Sequence, residues 1–176
     1  GAALGPFTGL SAADPLTDGD LAYARLLVAT ELLGADFYAQ ALGARKAGPR
    51  LAKRLKLAHA NELQHYQSVS QILIGAGLTP ATASDIEFGY PRGTFRSEGS
   101  IAHFALELET VMLGAYLGAV DGIQIPALKT VAARIGASEA QHVGFMSTIR
   151  GFSSFQAFPN PMTMQQVSNA LDQFTA

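Results

Sequence analysis

The chain states one plan twice. Ala60-Asn61-Glu62-Leu63-Gln64-His65 is matched by Ala137-Ser138-Glu139-Ala140-Gln141-His142, a shared A-[NS]-E-x-Q-H pattern. Upstream of each stands a glutamate followed seven residues later by a tyrosine: Glu31 with Tyr38, then Glu109 with Tyr116. Glu31 and Glu62 are 31 residues apart, and Glu109 and Glu139 are 30 apart. A fold that accommodates this chain must therefore place two equivalent units around one shared arrangement of carboxylates.

Helical periodicity with stop signals gives the units their form. Four helices are expected, over about 18–42, 49–74, 100–120 and 126–150. Thr17 and Asp20 supply a capping box for the first helix, and Gly43 and Gly48 mark its exit. Pro49 and Pro126 suit the first turns of the second and fourth helices. Residues 75–99, rich in Gly, Pro, Ser and Thr, form one long connection between two short ones. Short, long, short predicts an all-α antiparallel four-helix bundle with one long crossover between helices 2 and 3. A tail over 151–176 is expected to pack on it through Phe152, Phe155 and Phe158, ending in a short C-terminal helix over 163–174. Residues 1–176 read as a single domain.

Composition excludes several alternatives. Of the 176 residues 48% are hydrophobic and only 15% charged, which favours a buried core over disorder. Twelve Lys+Arg against 14 Asp+Glu lack the basic excess of a nucleic-acid partner. The most apolar run, 110–120, ends at Asp121, too short for a membrane span. With no cysteine there is no disulfide, no thiolate catalysis and no sulfur-ligated metal. A processed export signal ahead of Gly1 remains compatible with this sequence.

The four glutamates fall at one level. Each lies about 15 residues from the tight turn of its own pair, or roughly 22 Å along a helix. Their faces are apolar: Leu27, Val28, Gly34 and Ala35 accompany Glu31, and Ala105, Leu106, Met112 and Leu113 accompany Glu109. Each Glu-x-x-His places an imidazole beside its carboxylate, one turn along. Four buried carboxylates without a Lys or Arg on those faces call for compensation. Two divalent cations match four carboxylates charge for charge, with both imidazoles neutral as nitrogen ligands. The competing reading is a metal-free buried hydrogen-bond network, or surface placement of these groups.

This pattern resembles the ferritin-like superfamily, in which two helices each give a Glu and two others each give a Glu-x-x-His. The runs Glu31–Tyr38 and Glu109–Ala119 and the two Glu-x-Gln-His segments are most similar to the ferritin-like family typified by desiccation-related proteins. The likeness extends over about 18–150. It implies a ligand set of Glu31, Glu62, His65, Glu109, Glu139 and His142 for two ions, iron or manganese. It also implies a bacterial, often exported protein with a stress-protective setting. O2, peroxide or metal ions are then the small-molecule partners, and a homo-oligomer fits the class. The expected activity is an oxidase, ferroxidase or peroxide-consuming reaction, with no catalytic residue singled out beyond the centre. The alternatives are metal holding or storage without turnover, and a structural bundle with a vestigial site.

Tyr38 and Tyr116 read either as donors orienting the carboxylates or as ordinary core tyrosines. His59 lies one turn from Glu62 without a counterpart, because Gly136 holds the equivalent position. Glu107 and His103 are expected at the surface. The basic cluster of Arg45, Lys46, Arg50, Lys53, Arg54 and Lys56 reads as a solvated helix end.

Overall fold

A computed structural model describes residues 16–151 and 156–174. Five helices follow one another: α1 (Asp18–Gly43), α2 (Pro49–Gly75), α3 (Glu98–Gly122), α4 (Pro126–Ile149) and α5 (Met164–Leu171). A single 3-10 turn, Asp172–Phe174, follows α5. The fold is all-helical, a four-helix bundle with a short C-terminal helix.

Thr17 and Asp20 form the capping box that starts α1. Asp20 is buried, and its second carboxylate oxygen accepts the backbone N–H of Gln124 at 2.6 Å. Burial raises its pKa, but the hydrogen bonds from Gln124 and Thr17 outweigh that effect and hold it below the usual carboxylate value. This contact fastens the start of α1 to the turn between α3 and α4. At the opposite end, the Gly48 N–H before α2 donates to Glu98 at the start of α3. Hence α1 and α3 run antiparallel, and the two hairpin turns lie at opposite ends of the bundle. The crossover, 76–97, must return along the whole bundle, about 37 Å for a helix of 25 residues. That distance explains its length.

The crossover is anchored as it passes. Tyr66 donates to the Ala81 carbonyl, and Tyr90 donates to Asp36 of α1, each at 2.8 Å. Tyr90 and Phe95 stack against Phe37. Helix α3 begins two residues before the position expected from periodicity, because Ser97 and Ser100 cap one another with their hydroxyls. A serine in place of Glu or Gln at the third position hides that start from a pattern search.

The tail docks through its backbone at Met162 and through the side chains of Val167, Leu171 and Phe174. The Met162 N–H donates to the Gly114 carbonyl at 2.8 Å. A Cβ on Gly118 would overlap the Met162 carbonyl, so glycine is what allows the tail to approach α3 this closely. Val167 and Leu171 of α5 are buried, while Phe158 is 90% exposed. The expectation that Phe158 packs on the bundle is thus overturned. Phe152 and Phe155 lie outside the described residues.

Candidate metal centre

Helices α1 and α2 pair along their lengths, as do α3 and α4, and α1 meets α3 between the pairs. Each of α1, α2, α3 and α4 delivers one glutamate to the middle of the bundle. Glu31, Glu62, Glu109 and Glu139 have no solvent-accessible surface, and the side chains of His65 and His142 are 12% and 10% exposed. The six residues singled out by the repeat converge.

Their distances divide the glutamates into two kinds. His65 Nδ1 lies 2.9 Å from Glu139 Oε1, 3.4 Å from Glu62 Oε2 and 3.5 Å from Glu31 Oε2. His142 Nδ1 lies 3.1 Å from Glu139 Oε2, 3.2 Å from Glu62 Oε1 and 3.1 Å from Glu109 Oε1. Glu62 and Glu139 therefore turn one oxygen to each imidazole. Glu31 meets only His65, and Glu109 only His142. Two overlapping groups result, Glu31-Glu62-His65-Glu139 and Glu62-Glu109-Glu139-His142, each compact enough to hold a metal ion.

Hydrogen bonding leaves this cluster incomplete. Glu31 Oε2, both oxygens of Glu62 and Glu109 Oε2 are buried without a hydrogen-bond partner, and His65 Nδ1 and Glu139 Oε1 meet as an ion pair at 2.9 Å. Buried polar atoms are almost always satisfied, and such atoms cost about 1–3 kcal/mol each when they are not. One imidazole N–H cannot serve three carboxylates at once. An assembly of anionic oxygens and imidazole nitrogens pointing at shared centres suits divalent cations. The donor set fits.

Electrostatics show what protons do there without a cation. Burial holds Glu31 and Glu109 well above the usual carboxylate range, and the neighbouring glutamates Glu62 and Glu139 add to the effect. Burial works against a charged His65, yet Glu139, Glu31 and Glu62 outweigh it and raise its pKa to about 12. His142 is likewise raised despite burial, by Glu109, Glu139 and Glu62. Burial would lift Glu139, but His142 and His65 hold it down to about 2. Positive charge is thus drawn into this site by the carboxylates, whatever its carrier.

The tyrosines cross between the repeats. Tyr38 of α1 donates to Glu109 of α3, and Tyr116 of α3 donates to Glu31 of α1. Seven residues along a helix is about 10.5 Å, too far for each to reach its own glutamate. Both tyrosines are buried, and burial together with these carboxylates raises their pKa well above the phenol value, so they remain donors. At the repeat-related positions 34 and 112, one residue yields to the other. A Cβ on Gly34 would lie 3.0 Å from Met112 Cε and 3.2 Å from Glu62 Cγ. The size difference between Gly34 and Met112 was open to reading in the repeat.

Other residues stand apart. His59 is partly buried and belongs to neither group. His103 lies 3.4 Å from Glu107, with both side chains about half exposed. Arg50 and Arg54 of the basic cluster lie over the Phe145 ring at 5.9 and 5.0 Å from its centroid. Beside them a cleft of about 180 Å³ between α2 and α4 reaches Asn61, Ser138 and His142.

A helical bundle with buried carboxylates and imidazoles at its middle defines a class of candidate metal proteins. A family model for the ferritin-like domain matches residues 19–151, and the chain belongs to that family. No curated protein matches it in sequence. No helix among the described residues is long and apolar enough to cross a membrane.

Proposed function

We propose that the chain holds a dinuclear centre of iron or manganese and uses it for redox chemistry on O2 or peroxide, or for oxidation of Fe(II). Glu31, Glu62, His65, Glu109, Glu139 and His142 are its ligands. The observation that carries this reading is the sharing of Glu62 and Glu139 between two otherwise separate ligand groups. Those two carboxylates would be available to both ions, whereas Glu31 with His65, and Glu109 with His142, would each be available to one. Bound there, the metal pair supplies electrons to, or accepts them from, a small oxidant or reductant.

The chain's own residues do the rest. The four glutamates neutralise the cations. Tyr38 and Tyr116 each donate to the opposite repeat's glutamate and orient it: Tyr116 takes Glu31 Oε1 and leaves Oε2 toward His65, while Tyr38 shares Glu109 Oε1 with His142. Leu27, Met112 and Ile135, buried one helical turn from Glu31, Glu109 and Glu139, keep the surroundings apolar and so strengthen charge interactions there. The resemblance to desiccation-related proteins supports a narrower setting, an exported bacterial protein acting against oxidative stress.

The test is to load the full chain anaerobically with Fe(II) or Mn(II), then follow Fe(II) oxidation by O2 and disproportionation of peroxide. Faster turnover than free metal in at least one assay, absent in Glu62→Gln, is expected. Two bound ions without turnover in either would leave a metal-holding protein and contradict the enzymatic reading.

A further inference from the structure

The two halves of the centre match in every proposed ligand and differ directly beside it. In the repeat, Asn61 of α2 corresponds to Ser138 of α4. Asn61 Nδ2 lies 3.0 Å from His142 Nε2, and a half-turn of the amide exchanges Nδ2 for Oδ1 at that place. The equivalent contact would join Ser138 to Nε2 of His65, and no such hydrogen bond occurs among the described residues; a serine hydroxyl has a shorter reach than an amide.

Both imidazoles turn Nδ1 toward the carboxylates. For Nδ1 to give its lone pair to a cation, Nε2 must carry the hydrogen, and that hydrogen needs an acceptor. An amide presents oxygen or nitrogen in the same outline. Turned so that Oδ1 faces the ring, Asn61 accepts from Nε2–H and selects the ligating tautomer of His142. The constraint acts on the outer side of the ring, where His142 forms part of the wall of the cleft between α2 and α4. Without Asn61 the imidazole has space on that side into which it can turn. Among the described residues His65 has no comparable hydrogen-bond partner on its outer nitrogen.

We propose that Asn61 is a positioning residue that makes the two metal positions inequivalent: the position built on Glu109 and His142 fills first and more tightly than the one built on Glu31 and His65. This rests on the dinuclear reading above. It also makes order of loading a property of one pair of repeat-related residues, Asn61 and Ser138, neither of them a ligand.

The test is a calorimetric titration of the full chain with Co(II), read in parallel by visible absorption. The wild type is expected to bind two ions in resolved steps. Asn61→Ala should weaken the tighter step by about 10–100-fold and leave the other unchanged. Asn61→Asp, which keeps an acceptor, should restore it, and Ser138→Asn should strengthen the weaker step. In Zn(II)-loaded protein, 15N shifts of His142 should report the Nε2–H tautomer in the wild type and lose that signature in Asn61→Ala. Wild type that binds two ions in indistinguishable steps would overturn this inference alone, as would Asn61→Ala weakening both steps equally or neither. Wild type that binds no ion would overturn the dinuclear reading, and this inference with it.

Discussion

Glu62→Gln and Glu139→Gln are each expected to remove both metal ions, whereas Glu31→Gln and Glu109→Gln each remove one. The reasoning is geometric. Glu62 offers Oε2 toward His65 and Oε1 toward His142, and Glu139 offers Oε1 and Oε2 in the opposite order. Glutamine keeps the outline but exchanges an anionic oxygen for a donor NH2 that repels a cation. At a shared carboxylate this damages both positions; at Glu31 or Glu109 it damages only the adjacent one. Calorimetric titration with Mn(II) should give a stoichiometry falling from about two to near zero in the first pair and to about one in the second. Glu107→Gln, about half exposed and in neither ligand group, serves as the control with unchanged uptake. Equal losses in all four variants would contradict the division into shared and unshared ligands.

Metal loading should raise thermal stability by roughly 10–20 °C. Filling two sites at a hundredfold excess over their dissociation constants stabilises the fold by about 5 kcal/mol. A domain of this size shifts by about 2–4 °C per kcal/mol. The gain should also grow with pH. His65 has its pKa raised to about 12, and His142 is raised too, from an unfolded value near 6.5. A raised pKa contributes stability fully present below the unfolded value and lost as pH climbs toward the folded one. Buried Glu31 and Glu109, also raised, act in the same direction from lower pH. The metal-free fold therefore binds more protons than the unfolded chain at neutral pH and weakens as pH rises. Glu139, held down to about 2, acts oppositely, and its contribution is lost only in acid. Because cations displace the protons on these groups, their binding strengthens with pH. Melting curves of chelated and loaded protein between pH 6 and 9 should diverge; parallel curves would contradict proton displacement at this site.

How much of this was readable beforehand depended on whether one helix or several determined the feature. Helix limits near Asp18, Pro49 and Pro126 follow from local stop signals, and the structure reproduces them within a residue or so. The inward faces of Glu31, Glu62, Glu109 and Glu139 follow from periodicity within each helix and from the repeat. Height along a helix, however, does not tell which neighbour stands opposite. That is why the crossing of Tyr38 to Glu109 and Tyr116 to Glu31 was not legible, nor the sharing of Glu62 and Glu139. Asn61 lay inside the repeated motif, but its meaning depends on the distance between α2 and α4. The tail shows the same limit. Its three phenylalanines drew attention as apolar anchors, yet Gly114 and Gly118 accept the backbone at Met162 and leave Phe158 in solvent. Small residues on a helix announce a close approach without naming what approaches.

Buried charge is the most costly feature of this bundle, and the dinuclear reading gives it a purpose. Uncompensated, each interior carboxylate carries a desolvation penalty of several kcal/mol. A chain with so few charged residues places four of its 14 acidic side chains where no solvent reaches them. Elemental analysis of the full chain, purified without chelator and again after anaerobic loading with Fe(II) or Mn(II), tests that purpose most directly. Two ions per chain, lost together in Glu62→Gln, is the expected result. Protein that retains no metal after either loading would contradict it.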